Sequence, residues 1–336
     1  VRENINMVAT ISDVAKKAGV SIGTVSKVLK NYSYVSEETR KKVMDAVKEL
    51  NYIPNSIASA LSSKKHAKVA LYTYINDAKQ AIDEINMQYL LGAFSQAKEY
   101  DLEVVTIFSQ SLIELNTEEL TRYFISQGIT AIVVYGLNKE DTVIHGLIDS
   151  GLFYVALVDA PIINAKTSSI MVDHINGQYD VAKAVIEKDY CKKVLYLAGK
   201  QNGYVTDMRL QGIQKLQKEY GFELNVQYAD FSEKKAFDLT LRYGNDCDTV
   251  VCASDLMAIG AVNALIKMNI FRRCCGYDGI TLMGYAGKSM MTCKNDFYET
   301  SRSAISEIKR LLDGEEGRSV LLDYEIKVIT YEDVIF

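Results

Sequence analysis

Thr10-Ile11-Ser12-Asp13-Val14-Ala15-Lys16-Lys17-Ala18-Gly19-Val20-Ser21-Ile22-Gly23-Thr24-Val25-Ser26-Lys27-Val28-Leu29 decides how the N-terminal part of the chain is built. Ile11, Val14, Ala15 and Ala18 recur at the i, i+3, i+4, i+7 spacing of a helix buried on one side. Thr10 and Asp13 stand at capping-box spacing, where each side chain can satisfy a free backbone N–H. The pattern stops at Gly19. Ser21 is placed to cap a second helix whose apolar side is Val25, Val28 and Leu29, leaving Ile22, Gly23, Ser26 and Lys27 opposite. Ser36, followed by Glu37 and Glu38, starts a third helix with Val43, Ala46, Val47 and Leu50 as its buried stripe. Helix, the short turn Ala18-Gly19-Val20-Ser21, then helix is the layout of a helix-turn-helix, whose second helix enters the major groove of DNA. A plain three-helix bundle satisfies the same pattern, because the second helix carries few long side chains.

The next segment, Asn51-Tyr52-Ile53-Pro54-Asn55-Ser56-Ile57-Ala58-Ser59-Ala60-Leu61, breaks at Pro54 and offers Asn55 as the cap of a helix of about two turns. Such a helix is too short to stand alone. Ala58 and Ala60 would let a symmetry mate pack closely, and Leu61 could then wedge between base steps; an ordinary linker is the plainer alternative. Charge is divided along the chain. The whole carries -5, yet residues 1–66 hold eleven Lys and Arg against six Asp and Glu, and the remainder carries -10. A basic module on an acidic body suits an approach to a polyanion, although a solvated basic face has the same composition.

The 336 residues allow about two domains and an appendage. With 48% hydrophobic and 24% charged residues and 2 prolines, collagen-like and disordered classes are excluded. No stretch approaches the roughly 20 apolar residues of a membrane span, and no basic start leads into an apolar run, so the cytoplasm is the expected compartment and no membrane partner is expected. The 6 cysteines form no C-x-x-C pair and there are 3 histidines, so neither a disulfide framework nor a metal site is indicated, and no cofactor is expected.

From Lys68 onward, apolar β-rich runs alternate with amphipathic helices. Strands are expected near 68–74, 102–108, 131–135, 153–158 and 169–172, with helices near 87–100, 115–127 and 140–150 between them. The pattern resumes with helix 175–189, strand 193–199, helix 204–220, strand 225–229, helix 231–242, strand 248–252 and helix 255–268. The fold expected is a small all-α helix-turn-helix domain plus an α/β two-lobed body of two doubly wound parallel sheets facing each other across a cleft.

The stretch Ala9–Ser21 with Thr24–Leu29, continued by Val35-Ser36-x-x-Thr39-Arg40 and Leu50–Asn55, resembles the N-terminal signature of the LacI/GalR transcriptional regulators. The body is similar to that family's periplasmic-binding-protein-like effector domain, so the resemblance covers nearly the whole chain. It implies residues 1–8 as an N-terminal extension, 9–53 as the DNA-binding domain, 54–66 as hinge helix and linker, and 67–336 as the effector-binding and dimerisation body. It further implies a regulator, usually a repressor, that binds a palindromic double-stranded DNA operator as a homodimer and is switched by a small-molecule effector. Base and backbone contacts fall to Thr10, Ser21, Ile22, Gly23, Thr24, Ser26, Lys27 and Tyr34, and minor-groove contacts to Asn55, Ala58 and Leu61. Lys27 stands where the family usually has arginine, and Gly23 offers no side chain where many relatives read a base.

In the body, Tyr204–Gly212 resembles the segment whose arginine contacts the effector, which gives Arg209. Cys252–Ala261 gives Asp255, Phe231 matches a stacking aromatic, and Gly276-Tyr277-Asp278 gives Asp278. A guanidinium, two carboxylates and an aromatic face suit a sugar-like ring or a purine. The plainer alternatives are an Arg209–Asp207 surface pair, a core Phe231, and Asp255 and Asp278 as helix caps. The stretch Tyr74–Ile85 lacks the family's Asn-Pro-Phe, so the first-lobe contacts stay unassigned. Arg272-Arg273-Cys274-Cys275 stands where the family usually has an apolar strand before Gly276, which suggests an edge position or a local rearrangement. The absence of a leucine heptad after residue 330 favours a dimer over a tetramer. A narrower alternative within the family is a global carbon-catabolite regulator that also answers to a phosphoprotein partner. An exported solute-binding protein would not carry residues 10–61. An enzyme is not expected, for there is no G-x-G-x-x-G or G-x-x-x-x-G-K-[ST] loop, and His66, His145 and His174 lie far apart without a triad motif.

Overall fold

The computed structural model describes residues 10–29, 32, 34–50, 52, 67–74, 84–187 and 190–335. The N-terminal unit comprises α1 (Ile11–Ala18), α2 (Ile22–Leu29) and α3 (Glu37–Glu49). Thr10 and Asp13 form the expected capping box, and Ser36 accepts from Thr39 N to open α3. Val14, Ala15, Val25, Val28, Val43 and Ala46 close a small core with Tyr52, and Lys17 pairs with Glu49 at 2.5 Å.

The first lobe is built from β1 (Lys68–Thr73), α4 (Glu84–Glu99), β2 (Glu103–Phe108), α5 (Thr117–Ser126), β3 (Ile129–Tyr135), α6 (Thr142–Asp149), β4 (Tyr154–Val158) and β5 (Thr167–Val172). The chain then crosses to the second lobe: α7 (His174–Val185), β6 (Lys193–Ala198), α8 (Tyr204–Tyr220), β7 (Glu223–Tyr228), α9 (Glu233–Tyr243), β8 (Thr249–Cys252), α10 (Asp255–Met268), β9 (Arg273–Cys275) and β10 (Met290–Lys294). It returns to the first lobe for α11 (Phe297–Leu312) and β11 (Ser319–Leu322), and crosses again to β12 (Glu325–Ile329) and α12 (Glu332–Ile335). The sheet orders are β11-β5-β4-β3-β1-β2 and β12-β10-β9-β8-β6-β7. Helices cover both faces of each sheet, so the central strands are apolar along their length: every residue of β3, Ile-Thr-Ala-Ile-Val-Val-Tyr, is buried.

Both sheets are doubly wound and parallel as expected, with one added edge: β12 runs antiparallel to β10, Met290 opposite Ile329. One expectation is corrected here. Arg272–Cys275 is neither at an edge nor rearranged: β9 lies between β8 and β10. The arginines fall at the solvent end, where Arg273 pairs with Glu187, while Cys274 and Cys275 are buried as small apolar residues. All six cysteines are buried and free. Among the described residues, no helix is long and apolar enough to cross a membrane.

Candidate functional site

The polar face of α2 is held by local hydrogen bonds. Ser21 Oγ accepts from Thr24 N at 3.1 Å and lies 2.9 Å from Thr24 Oγ1. Ser21, Ile22, Gly23 and Lys27 are exposed, with Thr24 and Ser26 half-buried. A Cβ at Gly23 would meet only Ser21 Oγ, at 3.8 Å, so its bare backbone is not imposed by packing. Thr10 is exposed at the start of α1 but tied to Asp13 at 2.6 Å. Lys27 Nζ rests 5.4 Å from the centre of the exposed Tyr34 ring. Asn55, Ala58 and Leu61 lie outside the described residues, as does His66.

Between the lobes lies a cavity of about 230 Å³, far above the roughly 10–15 Å³ that one water needs. Its lining follows the carboxyl ends of strands in both sheets, where doubly wound folds bind ligands. Tyr74 follows β1, Gly136, Leu137 and Asn138 follow β3, and Asp159 follows β4. Across the cleft, Lys200 follows β6, Phe231 follows β7, Ser254 follows β8 and Asp278 follows β9. Glu84, Ile85, Asn86 and Tyr89 of α4, Phe297 of α11, and Gly203–Thr206 with Arg209 at the start of α8 complete the walls. The first-lobe lining that the sequence reading left unassigned includes Tyr74, Glu84, Asn86, Tyr89, Asn138 and Asp159. Counting one to three residues past the expected strands 131–135 and 153–158 would have found Asn138 and Asp159; Glu84, Asn86 and Tyr89 lie on a helix and carry no such signal.

Arg209 is the hub. It is 4% exposed; Nη1 donates to Ala253 O and, at 3.2 Å, to Asp278 Oδ1. Its guanidinium lies 3.6 Å from the centre of the Tyr277 ring, and Nε points to His174 Nδ1 at 3.4 Å. Burial opposes the positive charge, yet Asp278, Tyr277 and Asp159 hold the pKa of Arg209 above its ordinary value. Asp278 moves the same way for a different reason: burial pushes its carboxyl up, and Arg209 only partly pulls it back. The alternative of an Arg209–Asp207 surface pair is excluded, because Asp207 instead meets Lys139 of the first lobe.

Phe231 reaches the cavity with a left-handed backbone at φ 58° and also packs against the second-lobe core, so both of its earlier descriptions apply. Asp255 does not reach it. At 0% exposure it accepts from Gly279 N at 2.7 Å, Ile280 N at 2.9 Å and Thr292 Oγ1 at 2.7 Å. The carboxylate therefore holds the loop behind the cavity wall. Gly276 makes room for it, since a Cβ there would fall 2.1 Å from Asp255 Oδ1. The Gly276-Tyr277-Asp278 motif thus decodes as space for Asp255, a platform for Arg209 and its counter-charge. Thr206 Oγ1, buried in the lining, has no hydrogen-bond partner among the described residues.

Contacts join the lobes on both flanks of the cavity. Glu84 at the start of α4 accepts from Thr281 N and from Thr281 Oγ1, the latter at 2.8 Å. On the other side Asn138 bridges to Gly203, Lys139 pairs with Asp207, and Asn202 donates to Glu140.

A helix-turn-helix unit joined to a two-lobed body with a cavity between the lobes is the build of a ligand-responsive regulator, and the comparisons agree. Residues 10–55 match the model of the family described as bacterial regulatory proteins, lacI family. The chain is 30% identical over 275 residues to the HTH-type transcriptional regulator RegA of Clostridium saccharobutylicum, spanning 79% of each protein. It is 28% identical over 338 residues to the HTH-type transcriptional regulator CelR of Thermobifida fusca, spanning 96% of this chain and 97% of that one. Its fold is that of a CelR–cellobiose complex, at TM-score 0.70 and 24% identity over 95% of this chain and 98% of that one. It is also that of a lac repressor dimer bound to operator and the anti-inducer ONPF, at TM-score 0.66 and 22% identity over 96% and 99%. The chain belongs to the lacI family of bacterial regulatory proteins. It is a DNA-binding transcriptional regulator, and its relatives are regulators rather than enzymes.

Proposed function

We infer that the chain is a repressor that binds a pseudo-palindromic operator as a homodimer and is switched by an uncharged, hydroxyl-rich effector of the sugar class. Residues 9–53 are the DNA-reading unit, with α2 in the major groove. Residues 54–66 form a hinge that places Asn55, Ala58 and Leu61 at the minor groove, and 67–336 form the effector-binding body.

The interlobe cavity carries this reading. Arg209 and Asp278 sit side by side on the second lobe, Asp159 stands on the first, and Phe231, Tyr204 and Phe297 supply flat apolar faces. Ring hydroxyls both donate and accept, so they match a guanidinium beside a carboxylate, while the ring's C–H faces suit aromatics. The buried Thr206 hydroxyl adds a polar group with no partner among the described residues. Charge disfavours an anionic ligand: Glu84, Asp159 and Asp278 line the cavity against Arg209 and Lys200, and the guanidinium is already paired. That a related fold is known with cellobiose supports the sugar class over a purine.

An effector that touches Asp159 on one lobe and Arg209 on the other favours one lobe arrangement. Regulation follows only from that difference, because equal affinity for two arrangements would shift neither. The test pairs two measurements. Selection of bound duplexes from a random pool should enrich one palindromic motif. In a thermal-shift panel, neutral mono- and disaccharides should include a stabiliser, while sugar phosphates and purines should not. No motif with any sugar present, or stabilisation by phosphorylated sugars alone, would overturn the respective half.

A further inference from the structure

We propose that His174 is the positioning residue of the effector site, a neutral imidazole that aims Arg209 into the cavity and ties it to Asp159 of the other lobe. The inference rests on the cavity being the effector site. His174 is the first residue of α7, directly after the chain passes from β5 of the first lobe into the second. It is 1% exposed and meets both lobes at once. Nε2 lies 2.8 Å from Asp159 Oδ1, a first-lobe atom at the cavity wall. Nδ1 lies 3.2 Å from Tyr277 Oη and 3.4 Å from Arg209 Nε, both in the second lobe.

These partners dictate the tautomer. A carboxylate only accepts, so Nε2 carries the proton and donates to Asp159. A guanidinium only donates, so Nδ1 must be bare to accept from Arg209 Nε–H, with Tyr277 Oη 3.2 Å from the same nitrogen. With Nη1 held by Ala253 O and Asp278, and the plane resting on Tyr277, the Nε bond to His174 fixes the rotation of the guanidinium. The histidine thus connects the cavity's first-lobe carboxylate to its second-lobe cation through one rigid ring. An aliphatic residue would leave Arg209 Nε buried without an acceptor and Asp159 without its donor.

Two isosteres separate the two arms. An asparagine oxygen can occupy the Nδ1 position and keep the Arg209 arm, whereas a glutamine amide reaches the Nε2 position and keeps only the Asp159 arm. Long-range proton–nitrogen spectra of the full chain should show the ring that disappears in both variants as protonated at Nε2 and bare at Nδ1. The slowly exchanging Arg209 Nε–H signal should persist in His174→Asn and be lost in His174→Gln. With cellobiose as the calorimetric probe, His174→Asn should bind within about threefold of wild type and His174→Gln about tenfold more weakly. A ring protonated at Nδ1, or equal effects of the two variants on the Arg209 signal, would overturn the proposal. Failure of wild type to bind cellobiose would count against the disaccharide form of the effector reading, and the spectra would still decide the role of His174.

Discussion

At the scale of single residues, Asp255 shows where sequence and structure part. The likeness of Cys252–Ala261 to a family segment made it look like a contact. The backbone instead turns its carboxylate inward to the N–H groups of Gly279 and Ile280. No pattern in the sequence shows which side of a wall a side chain faces, whereas Arg209 and Asp278 were legible because a buried cation and its counter-ion sit in recognisable segments. Burial, and then the charge of Asp278, push the Asp255 carboxyl above the ordinary carboxylate range, against three donors that favour ionisation. The folded state therefore holds this proton more tightly than the unfolded chain. Its contribution is fully present below the ordinary carboxylate pKa and is lost as pH rises through the raised one. Asp255→Asn keeps an acceptor for the two N–H groups and a donor for Thr292, so it should fold. Thermal melts between about pH 4.5 and pH 8 should show wild type losing ground to Asp255→Asn as pH increases; a constant or opposite difference would refute the assignment.

At the scale of elements, α/β alternation was legible through β8 and α10, because each strand is an apolar run and each helix has a 3.6-residue stripe. The segments after residue 268 were not. β9 is a three-residue strand that begins with an exposed arginine, and β12 alternates too weakly to mark its direction. Helix pairs are set by close approach as well as by stripes. In α8, a Cβ on Gly212 would fall 2.3 Å from Ile175 O of α7, so backbone meets backbone there. Gly212→Ala should cost about 1–3 kcal/mol by overpacking, read as a melting temperature lower by several degrees in a protein of this size. Because α7 carries His174 and α8 carries Arg209, the same variant should also weaken effector binding. An unchanged melting temperature would show that the pair can separate freely.

At the scale of the whole molecule, the division of charge and the two-lobed body were visible in the sequence, while the hinge contacts were named only through family likeness. Specific DNA binding should depend on residues outside the two-lobed body. Leu61→Ala should lower operator affinity while leaving the melting of the body unchanged, and wild-type affinity should fall steeply with added salt as phosphate neutralisation releases counterions. Operator binding by Leu61→Ala equal to wild type would remove the wedge from the mechanism. The contacts on the two flanks of the cavity, Glu84 to Thr281 and Asn138–Glu140 to Asn202, Gly203 and Asp207, bear on timing. Where a ligand enters by parting the lobes, these contacts must break first. Association rates should therefore level off at high ligand concentration, at the frequency of that parting, and the regulator would respond to how long an effector persists as well as to how much of it is present.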